Sequence, residues 1–186
     1  TVQARVSAWK NALIEPADAL SHAEDDFEAD LAGLYADYQR SLHAYNAVDF
    51  DDLIRLPARL FAEQSDLLDA WQARLRYLMV DEYQDTNRLQ YLLMRRLAEH
   101  HRNLTVVGDP VQSIYAWRGA DIRNILDFET DFPEAKVVRL EQNYRSTEVI
   151  LAAASAVIAN NLKRKEKRLW TDRSGGDQIV YARCGD

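Results

Sequence analysis

Two short runs, YLMVDE at residues 77–82 and LTVVGD at residues 104–109, constrain the fold of this chain more than any other feature. Each is a brief apolar stretch that ends on acids and a turn, the pattern of a buried strand. The segment between them, Asn87 to Glu99, repeats Leu89, Leu93 and Leu97 at helical spacing and so predicts a helix with those residues inward. Strand, helix, strand predicts a parallel α/β unit, because parallel neighbours need a crossover that returns the chain to the same end of the sheet. Ligands of such folds gather outside the carboxyl ends of the strands. Asp81, Glu82 and Asp109 are therefore expected close together, at the place where such folds do chemistry.

Ahead of this unit the pattern is helical. Phe27, Leu31, Leu34, Tyr35, Tyr38, Leu42 and Tyr45 share one broad face of a long helix over residues 21–45, with SHAE as a capping box from Ser21 to Glu24. The chain breaks at Asn46, restarts near Asp49, and meets a helix end or kink at Pro57. A further helix covers roughly Leu67 to Arg74. Beyond Pro110, a helix is expected near Ile122 to Phe128, a third strand in AKVVRLEQNYRST, a helix from about Thr147 to Asn160, and a fourth short strand in GGDQIVYARCG.

The 186 residues, 47% apolar and 28% charged, suffice for one compact domain or two partial ones. A net charge of −7 argues against a nucleic-acid partner only if charge is evenly spread. It is not: acids dominate from Glu15 to Asp37, whereas KRKEKR at Lys163 to Arg168 is basic. The single cysteine, Cys184, reads as a buried strand residue, excludes an intrachain disulfide and suits a reducing compartment. No apolar run approaches the ~20 residues of a membrane span and no signal peptide opens the chain, so the expectation is a cytoplasmic protein with no membrane partner. Both ends read as cut from something longer: the first residues sit inside a helical pattern (Val2, Val6, Trp9) and the last follow an apparent strand.

An Asp-Glu pair at a strand tip has two meanings. Asp81 can hold Mg²⁺, which prefers oxygen ligands and keeps part of its water shell, while Glu82 orients or deprotonates an attacking water. Alternatively, the two acids mark a strand end and a solvated turn. Tyr115, Trp117 and Arg118 in IYAWRG offer base-stacking rings beside a cation, or packing at a helix start. Asp49, Asp51 and Asp52 suit the dipole at a helix N-terminus better than a metal cluster, and the four histidines lack zinc-site spacing.

The longer context resembles one family. VDEYQDTN is similar to the Walker B region, motif II, of the UvrD, Rep and PcrA group of superfamily 1 DNA helicases; VVGDPVQSIYAWRGAD resembles their motif III and LEQNYRST their motif IV. The three occur in family order, and VDFDDLI and KRLWT also look like family segments, so the resemblance covers nearly the whole chain. It implies an α/β fold: part of a RecA-like P-loop NTPase motor domain with a helical insertion and the start of a second RecA-like domain. The implied boundaries are 1–45 for the insertion (the end of a 1B-like subdomain), 46–135 for the C-terminal half of the first motor domain (1A-like), and 136–186 for the start of the second (2A-like).

The resemblance also implies roles. Asp81 would bind the magnesium of MgATP and Glu82 would activate water; Gln112 would sense the γ-phosphate and link nucleotide to DNA; Tyr144 would pack on adenine and Arg145 would reach the γ-phosphate as an arginine finger. Trp117 would stack on single-stranded bases, with Tyr115 and Arg118 lining the track. The implied activity is ATP hydrolysis coupled to 3'-to-5' movement on single-stranded DNA and to duplex unwinding at single-strand/double-strand junctions, in repair or replication and alongside DNA-repair partners. An AddA- or RecB-like recombination helicase-nuclease shares these motifs and is the alternative; a binding module without turnover is a second. The pattern departs from the family: no GxxxxGK[ST] loop occurs among the six glycines, and Pro110-Val111 replace acids found in many relatives. The expectation is that this polypeptide alone hydrolyses ATP poorly or not at all and is prone to aggregation, with Pro110 accommodated at a first helical position.

Overall fold

The computed structural model describes residues 1–161 and 167–183, in two compact units, Thr1–Ile125 and Leu126–Asp186. Cys184 and most of the basic cluster, Lys163 to Glu166, lie outside the described residues.

The first unit opens with helices α1 (Val2–Asn11), α2 (Pro16–Ala19) and α3 (Asp26–Ala44). Their apolar faces meet in a core of Val6, Trp9, Ala19, Leu31, Ala32 and Tyr35, in which the Trp9 and Tyr35 rings stack with centroids 5.8 Å apart. The Tyr35 hydroxyl donates to the Ile14 carbonyl at 3.2 Å, and burial pushes its pKa up to about 12. The start of α3 differs from the sequence expectation. Asp25, not Ser21, caps the helix by accepting from the Glu28 amide at 2.8 Å, while the Ser21 hydroxyl donates to the Asp18 carbonyl inside a preceding 3₁₀ turn. An aspartate with Glu three positions on is an equally good cap and lies nearer the apolar stripe.

Asn46 takes a left-handed backbone (φ 49°) that ends α3, and the chain resumes as α4 (Asp52–Glu63). Pro57 lies inside this helix rather than ending it, although it forfeits one backbone hydrogen bond. Ala58 and Phe61 on the same helix are buried. Where the acids ahead of α4 were expected only to serve the helix dipole, they build an ionic network. Lys10, fully buried, reaches Asp49 at 2.7 Å and Asp52 at 3.0 Å; Arg55 reaches Asp52 at 3.0 Å and Glu15 at 2.7 Å. These pairs bind α1 and the start of α2 to α4.

After α5 (Ser65–Arg74) come strand β1 (Leu78–Val80), helix α6 (Arg88–Ala98) and strand β2 (Leu104–Val106). The strands are parallel, with Leu78 opposite Leu104 and Val80 opposite Val106. Asn87 and Gln90 form a reciprocal capping box at the start of α6. Leu89, Tyr91, Met94 and Ala98 are its buried residues, while Leu93 and Leu97, expected inward, are only half-buried. The strands are not buried on both faces either: Met79 is 74% exposed. Side chains alternate along a strand, so half-buried Leu78 and Val80 share one face while Met79 points to the other, which is open. Beyond β2 come two 3₁₀ turns, at Pro110–Gln112 and Ala116–Arg118, and then α7 (Arg123–Leu126).

The second unit contains α8 (Phe128–Asp131) and α9 (Glu148–Ile158), the latter with Thr147 as its N-cap, close to the expected start. The expected third and fourth strands do not form among the described residues. Residues 136–141 and 177–183 are in no strand, and Val137, Val138, Leu140, Val180 and Tyr181 are exposed; the nearest pairing is a single isolated parallel bridge of Gln142, just after the first segment, with Trp170. A β-prone run becomes a strand only when a neighbouring edge accepts its backbone bonds. No helix among the described residues is long and apolar enough to cross a membrane.

Candidate functional site

The tip of β1 is built around a strained residue. Glu82 has φ 49° and ψ 42°, a left-handed conformation that costs a non-glycine residue about 1–3 kcal/mol. Three bonds hold it. The Glu82 amide donates to its neighbour Asp81 Oδ1 at 2.8 Å, the Tyr83 amide donates to the Val107 carbonyl at 2.9 Å, and Val107 in turn donates to Val80 at 2.8 Å. The turn thus leaves both acids exposed at the carboxyl end of the strand, with Asp81 ahead of the kink and Glu82 at it.

Gln84 connects this tip to the next. Its side chain is 1% exposed; Nε2 donates to Glu82 Oε2 at 2.8 Å and to Asp85 at 3.3 Å, and Oε1 accepts from the Asp109 amide at 2.9 Å. One buried amide therefore orients the carboxylate after β1 and the backbone after β2, so the structure does bring Asp81, Glu82 and Asp109 to one end of the sheet. Sequence reasoning missed Gln84. The signal was a polar side chain two residues beyond a strand tip, but surface turns carry such residues equally often, and only burial distinguishes the cases.

Gly108 sits where no side chain fits. A Cβ there would lie 2.7 Å from Gln84 Oε1, 2.9 Å from Ile125 Cδ1 and 3.1 Å from the Tyr83 amide nitrogen. Gly108→Ala is expected to push Gln84 off Asp109 and to destabilise the intact protein by about 1–3 kcal/mol, read as a lower urea midpoint. An unchanged midpoint would show that the tip yields without cost.

The loop after β2 carries the remaining first-unit candidates. Asp109 caps the Pro110–Gln112 turn by accepting from the Val111 amide at 3.1 Å, and Gln112 Nε2 donates to Asp109 Oδ2 at 2.8 Å. Proline indeed occupies the first position of that turn, and Gln112 stays at the strand tip. Tyr115 and Trp117 place their rings 6.4 Å apart, and the Arg118 guanidinium lies 5.3 Å from the first ring centre and 4.6 Å from the second. Trp117 is 74% exposed, so it is not the packing residue that a helix start could have made it.

Tyr144 and Arg145 belong to the second unit. The exposed Tyr144 donates its hydroxyl to Gln142 Oε1 at 2.7 Å. Asn143 Oδ1 accepts from the amides of Arg145 at 3.0 Å and Ser146 at 2.7 Å, and Arg173 Nη1 donates to the Arg145 carbonyl at 2.8 Å. The backbone of this turn is pinned while the Arg145 side chain faces solvent.

Comparison with known proteins accounts for this arrangement. Residues 1–133 match the UvrD/REP helicase N-terminal domain and residues 138–186 match the UvrD-like helicase C-terminal domain. The chain is 53% identical over 176 residues, 95% of its length, to the ATP-dependent DNA helicase PcrA of Staphylococcus epidermidis. It is 51% identical over 178 residues, 96% of its length, to that of Bacillus subtilis. In both cases it spans 24% of the relative, about a quarter of the curated proteins it matches. The parallel pair with its crossover helix is accordingly part of a RecA-like domain, followed by the start of a second. With both family domains matched in order across the chain, this protein belongs to the UvrD/REP helicase family.

Proposed function

We propose that the chain is part of the motor of an ATP-dependent DNA helicase, coupling ATP hydrolysis to 3'-to-5' movement on single-stranded DNA and to duplex separation in repair or replication. One observation carries the reading: the buried Gln84 ties the acid at the β1 tip to the loop that holds the aromatic and arginine cluster. A motor needs its fuel site and its track on one rigid piece. In this reading residues 1–45 are the helical insertion, 46–135 the later half of the first motor domain and 136–186 the start of the second. The single cysteine suits a cytoplasmic setting.

The acid tip fits magnesium shared with a nucleotide. Among the described residues no group of three or more His, Cys, Asp or Glu side chains could cage a metal, and Asp81 offers an exposed carboxylate. Such a lone carboxylate suits Mg²⁺, which keeps several waters and takes other oxygens from phosphates. When bound, the ion would neutralise phosphate charge. Asp81 would hold it, and Glu82, aimed by Gln84, would accept the proton of the attacking water. Gln112, held on Asp109, would meet the γ-phosphate. Tyr144 would stack on the adenine. Arg145, on a pinned turn, would neutralise charge developing on the transferred phosphoryl group.

Single-stranded DNA and its junctions with duplex are the proposed track. Stacking on an exposed indole is indifferent to sequence, as stepping over any base requires. Arg118 beside both rings adds a phosphate-binding charge that is already oriented by cation–π contact. Trp117→Ala is expected to weaken single-stranded DNA binding by about 1–3 kcal/mol at fixed salt, with an unchanged salt slope, because stacking and not charge is lost. Anisotropy titrations at several salt concentrations check this; a reduced slope would assign the effect to phosphate contacts.

The function itself is tested on the intact protein that contains this chain. ATP turnover should rise on addition of single-stranded DNA, and duplexes with a 3' tail should be separated ahead of those with a 5' tail. Turnover indifferent to DNA, with neither duplex separated, would overturn the proposal.

A further inference from the structure

Asn124 is 4% exposed and lies in α7, outside the acid tip and the aromatic cluster. Its side-chain nitrogen donates to the Thr86 carbonyl at 3.0 Å and to Thr86 Oγ1 at 3.1 Å, with the Asn87 carbonyl 3.4 Å away. Its own amide donates to the Asp121 carbonyl at 3.0 Å, and the Asp121 amide donates to the same Thr86 carbonyl at 3.0 Å. Asn87 also pairs with Ala120 as an isolated antiparallel bridge.

These contacts define a seat. The segment from Tyr83 to Asn87 starts one residue after Glu82 and is stiffened by the Thr86 hydroxyl donating to the Tyr83 carbonyl at 2.7 Å. The loop bearing Tyr115, Trp117 and Arg118 rests on that segment at both ends. Its near end is held by the Asp109 amide on Gln84 and by the Ser113 hydroxyl on the Gln84 carbonyl at 3.3 Å; its far end is held by Ala120, Asp121 and Asn124. At the far end Asn124 supplies the buried side-chain contact, and its two N–H bonds suit it to carbonyl and hydroxyl acceptors together. A neutral amide can hold this place without the desolvation cost of a charge.

Resting on the motor reading above, we propose that Asn124 is a positioning residue that couples the two sites: it fixes the far end of the aromatic loop to the segment following Glu82, so that DNA held on Trp117 biases the geometry of the acid tip. Asn124 touches neither DNA nor nucleotide and acts only through Thr86 and Asn87. The coupling is carried by contiguous hydrogen bonds, and by linkage it must act equally in both directions.

The test uses the intact protein with Asn124→Asp, which keeps the shape but cannot donate and sets a carboxylate against two carbonyls, and with Asn124→Ala, which removes the contact without that repulsion. The measurements are ATP turnover with and without an oligothymidylate, the KM for ATP, and the affinity for that oligonucleotide with and without a non-hydrolysable ATP analogue. Stimulation of turnover by DNA should fall about tenfold in both variants, and the analogue's effect on DNA affinity should shrink as well, by the factor by which DNA's effect on analogue affinity shrinks. Unstimulated turnover and the KM for ATP should stay within about twofold. Undiminished stimulation and an undiminished analogue effect would overturn the proposal. So would a parallel fall of stimulated and unstimulated rates, or loss of fold in both variants, either of which assigns Asn124 to packing alone. Failure of the motor reading is distinct, because the unsubstituted protein would then show no stimulation by DNA.

Discussion

Glu82→Gln in the intact protein should lower ATP turnover by about three orders of magnitude while leaving ATP affinity within about threefold. A positioned carboxylate that takes a proton in the transition state contributes roughly 10²–10⁴ in rate. The substitution keeps the shape and length of the side chain, and its carbonyl oxygen can still accept from Gln84, which now donates to Glu82 Oε2 at 2.8 Å. What is lost is the basicity. The left-handed backbone at this position is held by the Glu82 amide on Asp81 and by the Tyr83–Val107 and Val107–Val80 bonds, none of which uses the Glu82 carboxylate, so the turn should survive. Quenched-flow turnover beside equilibrium binding of a fluorescent ATP analogue separates the two quantities. Turnover within about tenfold of the unsubstituted protein would mean that another group activates the water.

The second large effect concerns the helical part of the first unit. Asp52→Ala should lower the opening free energy of α1, α3 and α4 by about 3–5 kcal/mol, read from amide exchange in the intact protein. The carboxylate is fully buried between Lys10 at 3.0 Å and Arg55 at 3.0 Å, and removing it takes a shared partner from both buried cations, leaving Lys10 on Asp49 and Arg55 on Glu15 alone. Replacing the three together, Lys10→Met, Asp52→Leu and Arg55→Leu, should cost far less, since a well-packed apolar cluster can match a buried ionic one. The same network has a pH signature. Burial raises the Asp52 pKa and is the largest single influence, but the hydrogen bonds and charges of Lys10 and Arg55 outweigh it and hold the group below its ordinary 3.8. The sign follows: the unfolded chain binds the proton more readily, so the stabilisation is complete above that ordinary value and is lost as pH falls below it, through the lower folded value. A change of less than about 1 kcal/mol in Asp52→Ala would show that the cations relax into solvent.

Much of the candidate site was legible because it lies in local pattern. Strand tips carrying Asp81 and Glu82, the helix between the strands, and the loop with Tyr115, Trp117 and Arg118 are short-range features set by alternation, helical spacing and turn chemistry. The Pro110 turn was legible for the same reason, since proline presets its own φ. The cap of α3 was misplaced by four residues because two stretches, Ser21 to Glu24 and Asp25 to Glu28, both carry a capping signature, and the choice depends on how the helix packs.

Other features were not legible at all. Gln84 and Asn124 are polar residues whose meaning depends on partners 25 and 38 residues away. The acids ahead of α4 looked like a helix start, yet Lys10, 42 residues from Asp52 in the chain and fully buried, makes them an ionic core. Val137 to Leu140 and Gln178 to Tyr181 have strand-like composition but remain unpaired, because a strand is completed by an edge and not by its own residues.

By itself the sequence determined which side chains are available and in what local order: two acid-tipped apolar runs joined by an amphipathic helix, an aromatic and arginine loop, and a Tyr-Arg turn beyond it. Tertiary structure alone decided which polar groups are buried and against what. Hydrophobic spacing is a one-dimensional signal that survives in the sequence. The satisfaction of a buried amide or charge is a property of three-dimensional neighbours, and only the folded chain specifies them.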